Sequence, residues 1–317
     1  MSYAALSSQQ QVESLAPVVS AVLEAHGLSG FSFESINHEY NSTFALLGAA
    51  GERFALRINV NSNKSLRNLN AEVEWVRQIK TVRAPKPQMR LDGGFVSQVW
   101  HEASGRVLDC VVYSWLDGVE PGDEPTIEQV YAMGVAMARL HEESVGFEFS
   151  AEAELPAYND FYWGAVDYLL GDASELSSQE KSLVQAAKNR IEQVLAELYS
   201  QAEPQPIHAD LHSWNVMWFE GELAVFDFDD AGIGLPVQDL ANALYYLDTP
   251  DQEQALLDGY RSVRQLPEYS PDQLGLLKLQ RRIMLLNYLY ETTNPEHREM
   301  IPAYQAETFK RIRNVLS

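Results

Sequence analysis

Apolar residues recur at helical spacing near residues 9–26, where Val12, Leu15, Val18, Val19, Val22 and Leu23 share one face. Pro17 falls inside this run, so the helix either kinks or starts there, and Gly27 and Gly30 end it. The period then drops to two. Phe31–Phe33, Thr43–Leu47 and residues 54–60 read as strands, with the hairpin turn Ala49-Ala50-Gly51-Glu52 joining the last two. Helical spacing returns over residues 64–80 through Leu66, Leu69, Val73, Val76 and Ile79. Ala84-Pro85-Lys86-Pro87 is an extended linker into strands near 94–101 and 107–113, which turn at Ser104-Gly105.

Beyond residue 114 the pattern becomes helical. Thr126 opens a helix whose core face carries Val130, Met133, Met137 and Leu140. Helices are expected at 157–171 and 179–200, separated by Gly171-Asp172-Ala173-Ser174, and then at 239–247, 251–263, 271–292 and 297–315. Pro204 and Pro206 stop the helical pattern before a short loop-and-strand stretch. A sheet-rich first third followed by a helical remainder is an α+β arrangement.

Hydrophobic residues make up 46% of the 317, enough to bury a substantial core. The formal charge is −22, from 23 basic and 45 acidic side chains. So acidic a chain is poorly suited to nucleic acid, whose phosphates need cations. It favours cationic substrates by long-range attraction, and serves equally as a solubilising surface. Cys110 is the only cysteine, so no intrachain disulfide can form. It lies in the apolar run 107–112 and reads as a buried hydrophobe. No apolar run approaches the roughly 18 residues of a membrane span, and MSYAALSSQQ lacks the features of a signal peptide. The expectation is a cytoplasmic protein that does not engage membranes.

Chemistry concentrates in Pro206-Ile207-His208-Ala209-Asp210-Leu211-His212-Ser213-Trp214-Asn215 and in Leu223-Ala224-Val225-Phe226-Asp227-Phe228-Asp229-Asp230. Phosphoryl transfer requires one carboxylate to orient the attacking hydroxyl. It also requires a carboxamide oxygen and a second carboxylate to hold Mg²⁺ against nucleotide phosphates. Asp210 fits the first role, and Asn215 and Asp227 the second.

His208-Ala209-Asp210-Leu211-His212-Ser213-Trp214-Asn215 resembles the H-G-D-L-H-x-x-N loop of the aminoglycoside phosphotransferase-like kinases, a superfamily that includes choline and type II homoserine kinases. Phe226-Asp227-Phe228-Asp229-Asp230 resembles that family's metal-binding segment. The resemblance implies a two-lobed protein-kinase-like fold: a small sheet-rich N-lobe over 1–113 and a large helical C-lobe over 114–317. It implies ATP and Mg²⁺ as cofactors. Arg57 stands where kinases place a phosphate-binding Lys, and Glu72 matches the helix carboxylate that steadies it, with Glu74 the competing candidate. Ser42 and Thr43 fill the phosphate-covering hairpin, which lacks the glycine-rich pattern. Val112, Tyr113 and Ser114 precede a segment similar to the hinge whose backbone meets adenine.

By the same resemblance His208 orders the loop, while His212 either contacts the transferred phosphate or orders the loop too. Asp239 is a structural residue at a helix start, able to accept amides from the catalytic loop. Asp229 is a candidate second metal ligand, and Trp214 either walls the substrate pocket or packs in the core. Tyr245, Tyr246, Tyr288, Tyr290 and Glu291 either hold an ammonium or pack as ordinary aromatics. Only eleven residues separate Asp227 from Asp239, too few for a peptide-docking activation loop. The expected acceptor is therefore a small hydroxylated molecule, aminoglycoside-, choline- or homoserine-like and able to carry an amine. A protein Ser/Thr kinase of the same fold and a nucleotide-binding pseudokinase are the alternatives.

Overall fold

The computed structural model describes residues 3–62, 64–172, 174–292 and 294–316. The chain divides into two units: Met1–Gly118 with Phe149–Glu154, and Val119–Glu148 with Leu155–Ser317.

In the first unit, the run around Pro17 forms two helices, α1 (Ser8–Ser14) and α2 (Ala16–Ala25). Ser7 and Gln10 form a capping box on α1, and Pro17 sits in the first turn of α2, where its missing N–H costs nothing. Five antiparallel strands follow, β1 (Ser32–His38), β2 (Ser42–Leu47), β3 (Arg53–Ile58), β4 (Val96–His101) and β5 (Arg106–Ser114), in the order β1-β2-β3-β5-β4. Helix α3 (Leu66–Gln78) lies between β3 and β4 in sequence.

Both faces of the sheet carry apolar residues into a core, which explains the apolar run 110–113 of β5. Cys110 and Val112 join Leu56, Ile58, Phe44 and the α1–α2 residues Leu15, Val18 and Val22, while Val111 and Tyr113 meet Leu69 and Val73 of α3. Because the pleat alternates, Arg57, between Leu56 and Ile58, is turned toward the α3 side. Cys110 is fully buried, and burial pushes its thiol far above the ordinary range, leaving an inert hydrophobe.

The second unit begins with α4 (Ile127–Glu143), capped by Thr126, and α5 (Ser178–Tyr199), capped by Ser177. Short strands β6 (Gln205–Ile207), β7 (Val216–Phe219), β8 (Glu222–Val225) and β9 (Gly232–Gly234) pair as β6–β9 and as the hairpin β7–β8. Then come α6 (Pro236–Tyr245), α7 (Pro250–Arg261), α8 (Pro271–Glu291), α9 (Pro295–Glu299) and α10 (Ile301–Leu316). The core gathers Val184, Ile191 and Leu195 of α5, Ala241 of α6, Leu276, Ile283 and Leu286 of α8, and Phe309 and Ile312 of α10. No helix among the described residues is long and apolar enough to cross a membrane.

Two expectations fail. The helix expected over 297–315 is two helices broken at Met300, with Pro302 at the second position of α10, where proline is tolerated. The helix expected over 157–171 does not form; the described residues there are turns and irregular chain. Asp160 Oδ1 accepts the amides of Tyr162 and Gly164, and Asp167 Oδ1 those of Leu169 and Leu170. Aspartates that bond nearby amides offer the backbone an alternative to the helix, and Trp163 and Gly164 adopt left-handed φ of 55° and 78°. Ala173, in the expected turn, lies outside the described residues.

Helices α4 and α7 meet backbone to backbone. A Cβ on Gly134 would stand 2.0 Å from the Leu256 carbonyl oxygen, and one on Gly259 2.0 Å from that of Tyr131. Gly134→Ala is therefore expected to cost about 1–3 kcal/mol by overpacking, seen as a lower melting temperature. An unchanged temperature would show that the helices can part without penalty.

Candidate active site

The loop from Ile207 to Asn215 is held from below by α6. Asp239, 1% exposed, accepts the amide of His208 at 3.0 Å and that of Ala209 at 2.5 Å. Asn242, one turn on, donates to the Ala209 carbonyl at 2.5 Å. His141 of α4 reaches Asp239 Oδ2 at 2.9 Å, and its other ring nitrogen contacts the Tyr260 hydroxyl of α7 at 2.9 Å. Asp239 and His141 together tie the loop to α4, α6 and α7. The fixed amides explain how Ala209 keeps a left-handed φ of 67°, a conformation that costs a residue with a Cβ about 1–2 kcal/mol.

His208 is buried beneath the metal-like segment. Its Nε2–H donates to the Phe226 carbonyl at 3.0 Å, Nδ1 accepts the Asp210 amide at 3.3 Å, and its ring packs 4.8 Å from that of Phe228. One nitrogen donates and the other accepts, which requires the neutral ring. Burial lowers its pKa, partly opposed by Asp239 and the Phe226 carbonyl.

Asp210 is gripped at one oxygen. Arg281 of α8 donates through Nη2 to Asp210 Oδ1. Asp210 Oδ2 stands 3.3 Å from Asn215 Nδ2 and 3.4 Å from His212 Nε2. Burial alone would raise this carboxyl's pKa, but the Arg281 guanidinium and the neighbouring imidazoles hold it well below the usual carboxylate range. Asn215 Nδ2 also donates to the Asp210 carbonyl at 2.8 Å, which leaves Oδ1 as the atom able to accept or ligate. The Phe226 amide donates to the Asn215 carbonyl at 3.0 Å, and β7 and β8 pair Val216 with Val225. Asn215 and Asp227 therefore leave the same end of one hairpin. A carboxamide oxygen and a carboxylate there are hard donors that fit Mg²⁺, whose remaining ligands come from phosphates and water. Asp227 itself has a left-handed φ of 59° at the entry to the 3-10 turn Phe228–Asp230.

In the first unit, Arg57 Nη2 donates to Glu72 Oε2 at 2.5 Å and the Tyr113 hydroxyl donates to Glu72 Oε1 at 2.7 Å. Glu74 instead accepts the amide and hydroxyl of Ser150. Glu72, not Glu74, is the carboxylate that orients Arg57. Replacing it by Gln leaves a weaker acceptor for a buried cation, and the expected result is about a tenfold higher KM for nucleotide. An unchanged KM would remove Arg57 from the phosphates.

Several placements differ from the sequence reading. Ser42 is fully buried on the α1–α2 side, its hydroxyl 2.6 Å from His38 Nδ1, so it presents no hydroxyl to a phosphate. Thr43 pairs across the sheet with Arg57 and shares its face. The backbone of Val112–Ser114 is taken by the sheet: Val112 O accepts from Gln88, Ser114 N donates to Lys86 O, and Tyr113 pairs with Ala55. The 86–88 segment runs along β5 where β4 ends, so the first residues outside strand pairing are Trp115–Asp117. Trp214 is 47% exposed and donates to Asp123 at 3.1 Å.

The aromatics that could have formed an ammonium wall are dispersed. Tyr245 contacts Tyr304, Tyr288 contacts His297, and Tyr290 donates to Gln305. Only Tyr246 reaches Asp210's surroundings, its hydroxyl accepting from Arg281 Nη2 at 2.7 Å and Nε at 3.2 Å. Arg281 carries no local sequence signal; α8 brings it to a loop 71 positions earlier.

A sheet-rich unit with a braced arginine and a helical unit with an H-x-D-x-x-x-x-N loop define a kinase-type phosphotransferase with an alcohol acceptor. A model of the phosphotransferase enzyme family matches residues 32–271, and the chain belongs to that family. It is 24% identical over 281 residues to the amicoumacin kinase of Bacillus subtilis (strain 168), covering 80% of each chain. It is 26% identical over 170 residues to the serine/threonine protein kinase RdoA of Salmonella typhimurium, 51% of this chain and 49% of that one. A microcompartment-associated aminopropanol kinase has the same fold, with a TM-score of 0.80 at 21% identity over 95% of this chain and 97% of the other. So does the amicoumacin kinase hAmiN, solved with AMP-PNP, Ca²⁺ and Ami, with a TM-score of 0.75 at 18% identity over 95% and 96%.

Proposed function

We propose that this protein transfers the γ-phosphoryl group of ATP to the hydroxyl of a small molecule. One observation carries the reading: Asp210 is fixed through Oδ1 by Arg281 while Oδ2 lies beside Asn215 and His212. The acceptor oxygen bonds to the γ-phosphorus, the bond to the β,γ-bridging oxygen breaks, and ADP leaves with the electron pair. The hydroxyl proton passes to Asp210 Oδ2. In a loose transition state that transfer is late, so Asp210 acts mainly by orienting the hydroxyl, for which an ionised carboxylate suffices. Asn215 Oδ1 and the Asp227 carboxylate would hold Mg²⁺, which neutralises phosphate charge when bound. Arg57, kept in place by Glu72, takes phosphate oxygens as a forked donor. Backbone groups of Trp115–Asp117, free of strand pairing, are the places for an adenine edge. Similarity to amicoumacin and aminopropanol kinases supports a small alcohol as acceptor, and the AMP-PNP bound to hAmiN supports a nucleotide as donor.

The match to RdoA favours a second reading, transfer to a protein hydroxyl, whereas the eleven-residue interval between Asp227 and Asp239 leaves no peptide-docking loop. ADP release with Mg²⁺-ATP against a panel of aminoglycosides, choline, homoserine, sugars and a generic protein substrate separates them. Stimulation by a small alcohol supports the proposal. Stimulation by the protein alone favours the second reading, and nucleotide binding without acceptor-dependent turnover favours a pseudokinase.

A further inference from the structure

Arg281 is 7% exposed, and Tyr246 and Asp210 share its guanidinium. Nε and Nη2 satisfy the Tyr246 hydroxyl, and Nη2 also holds Asp210. Nη1 has no hydrogen-bond partner among the described residues, nor is it among the buried nitrogens that lack one, so it reaches the surface. A guanidinium with one nitrogen on the candidate catalytic carboxylate and the next unengaged is a half-used fork. Its natural complement is a second anionic oxygen.

The neighbouring aromatic surface points the same way. The Arg281 guanidinium lies 5.4 Å from the Tyr246 ring centroid, and the His212 ring lies 4.4 Å from it. A cage for an ammonium needs an uncovered aromatic face. Here a protein cation already stands over the ring nearest Asp210, and Asp210 is already paired. Asp230 acts on Arg281 through its field, less strongly than Asp210 does. An acceptor approaching Asp210 meets a fixed positive fork.

We infer that Arg281 is a specificity-determining residue that reads a carboxylate on the acceptor, so that the preferred substrate is a short hydroxy acid or hydroxy amino acid. This rests on the kinase reading above. With ordinary charge-assisted bonds, a carboxylate oxygen on Nη1 lies within about 5–6 Å of the Asp210 oxygen on Nη2. That distance suits a hydroxyl and a carboxylate separated by a few carbons, one group at Asp210 and the other at Arg281.

The test uses matched pairs that differ only in the carboxylate: homoserine with 3-aminopropan-1-ol, threonine with 1-aminopropan-2-ol, and glycerate with ethylene glycol. kcat/KM is measured with Mg²⁺-ATP for the full chain and for Arg281→Met, Arg281→Lys and Tyr246→Phe. A thermal shift with Mg²⁺-ATP reports nucleotide binding and folding for each. The expected wild-type result is a preference of about a hundredfold or more for the acid of at least one pair. Arg281→Met should erase that preference mainly through KM, and Arg281→Lys should keep part of it. Should Arg281→Met fail to fold, Arg281→Lys and Tyr246→Phe, which leaves the guanidinium charged but less well aimed, carry the comparison. Equal or better use of the decarboxylated partners overturns the inference. So does an equal loss for both members of a pair, which would place Nη1 on the transferred phosphate instead. ATP binding with no turnover of any pair also overturns it while sparing the kinase reading; absence of an ATP shift removes the kinase reading itself.

Discussion

Asp210→Asn is expected to lower acceptor-dependent turnover by about a thousandfold with little change in the KM for nucleotide. The amide keeps the shape and still accepts from Arg281, but it no longer takes the hydroxyl proton. A carboxylate that acts only in the transition state lowers kcat and kcat/KM together. Nucleotide binding should survive, because Arg57, the proposed phosphate donor, is braced separately by Glu72. The variant also leaves a buried guanidinium without its anion, so its melting temperature should fall as well. Turnover within tenfold of wild type would exclude Asp210 from the chemistry.

Asp239→Ala is expected to destabilise the fold by about 3–5 kcal/mol. The loss is this large because one buried side chain accepts the His208 and Ala209 amides and contacts His141. Without it, two buried amides and an imidazole lose their partner together, and Ala209 loses what holds its left-handed backbone. Asn in its place should retain part of the stability, since its one carbonyl oxygen serves only some of these donors. Denaturant unfolding measures the effect; a change under 1 kcal/mol would mean that water replaces the carboxylate. Activity should fall with stability, since the same amides place Asp210.

These two aspartates mark what was legible in the sequence. Asp210, Asn215 and Asp227 lie within one loop and one hairpin, so their spacing along the chain already fixes their proximity. Asp239 was readable as an acceptor for loop amides, and it accepts those of His208 and Ala209 besides contacting His141. Glu72 was separable from Glu74 because the two occupy different faces of α3, of which one meets Arg57 and the other Ser150. The α+β arrangement followed from the change in hydrophobic period, and its kinase-like form from the resemblance carried by residues 208–215 and 226–230.

What escaped depends on packing between distant elements or on side chains competing with the backbone. Nothing in the run Gln280-Arg281-Arg282 tells which arginine turns to Asp210; Arg282 instead bonds Thr308 and Tyr304 on α10. Ser42 looked available beside Thr43, but the pleat sends alternate residues to opposite faces and puts its hydroxyl in the core. The strand ending at Ser114 looked like the start of a free hinge, yet residues 86–88 pair along its edge. The 157–171 stretch has helical spacing, and Asp160 and Asp167 override it locally.

The most direct measurement follows the γ-phosphoryl group itself. Label carried on the γ-phosphate of ATP is traced in the presence of Mg²⁺ and the acceptor panel, in wild type and in Asp210→Asn. The expected result is label in an O-phosphate ester of a small acceptor, formed one-for-one with ADP and lost in the variant. Label only in inorganic phosphate, or an ester formed equally by the variant, would contradict an Asp210-dependent kinase acting on a small alcohol.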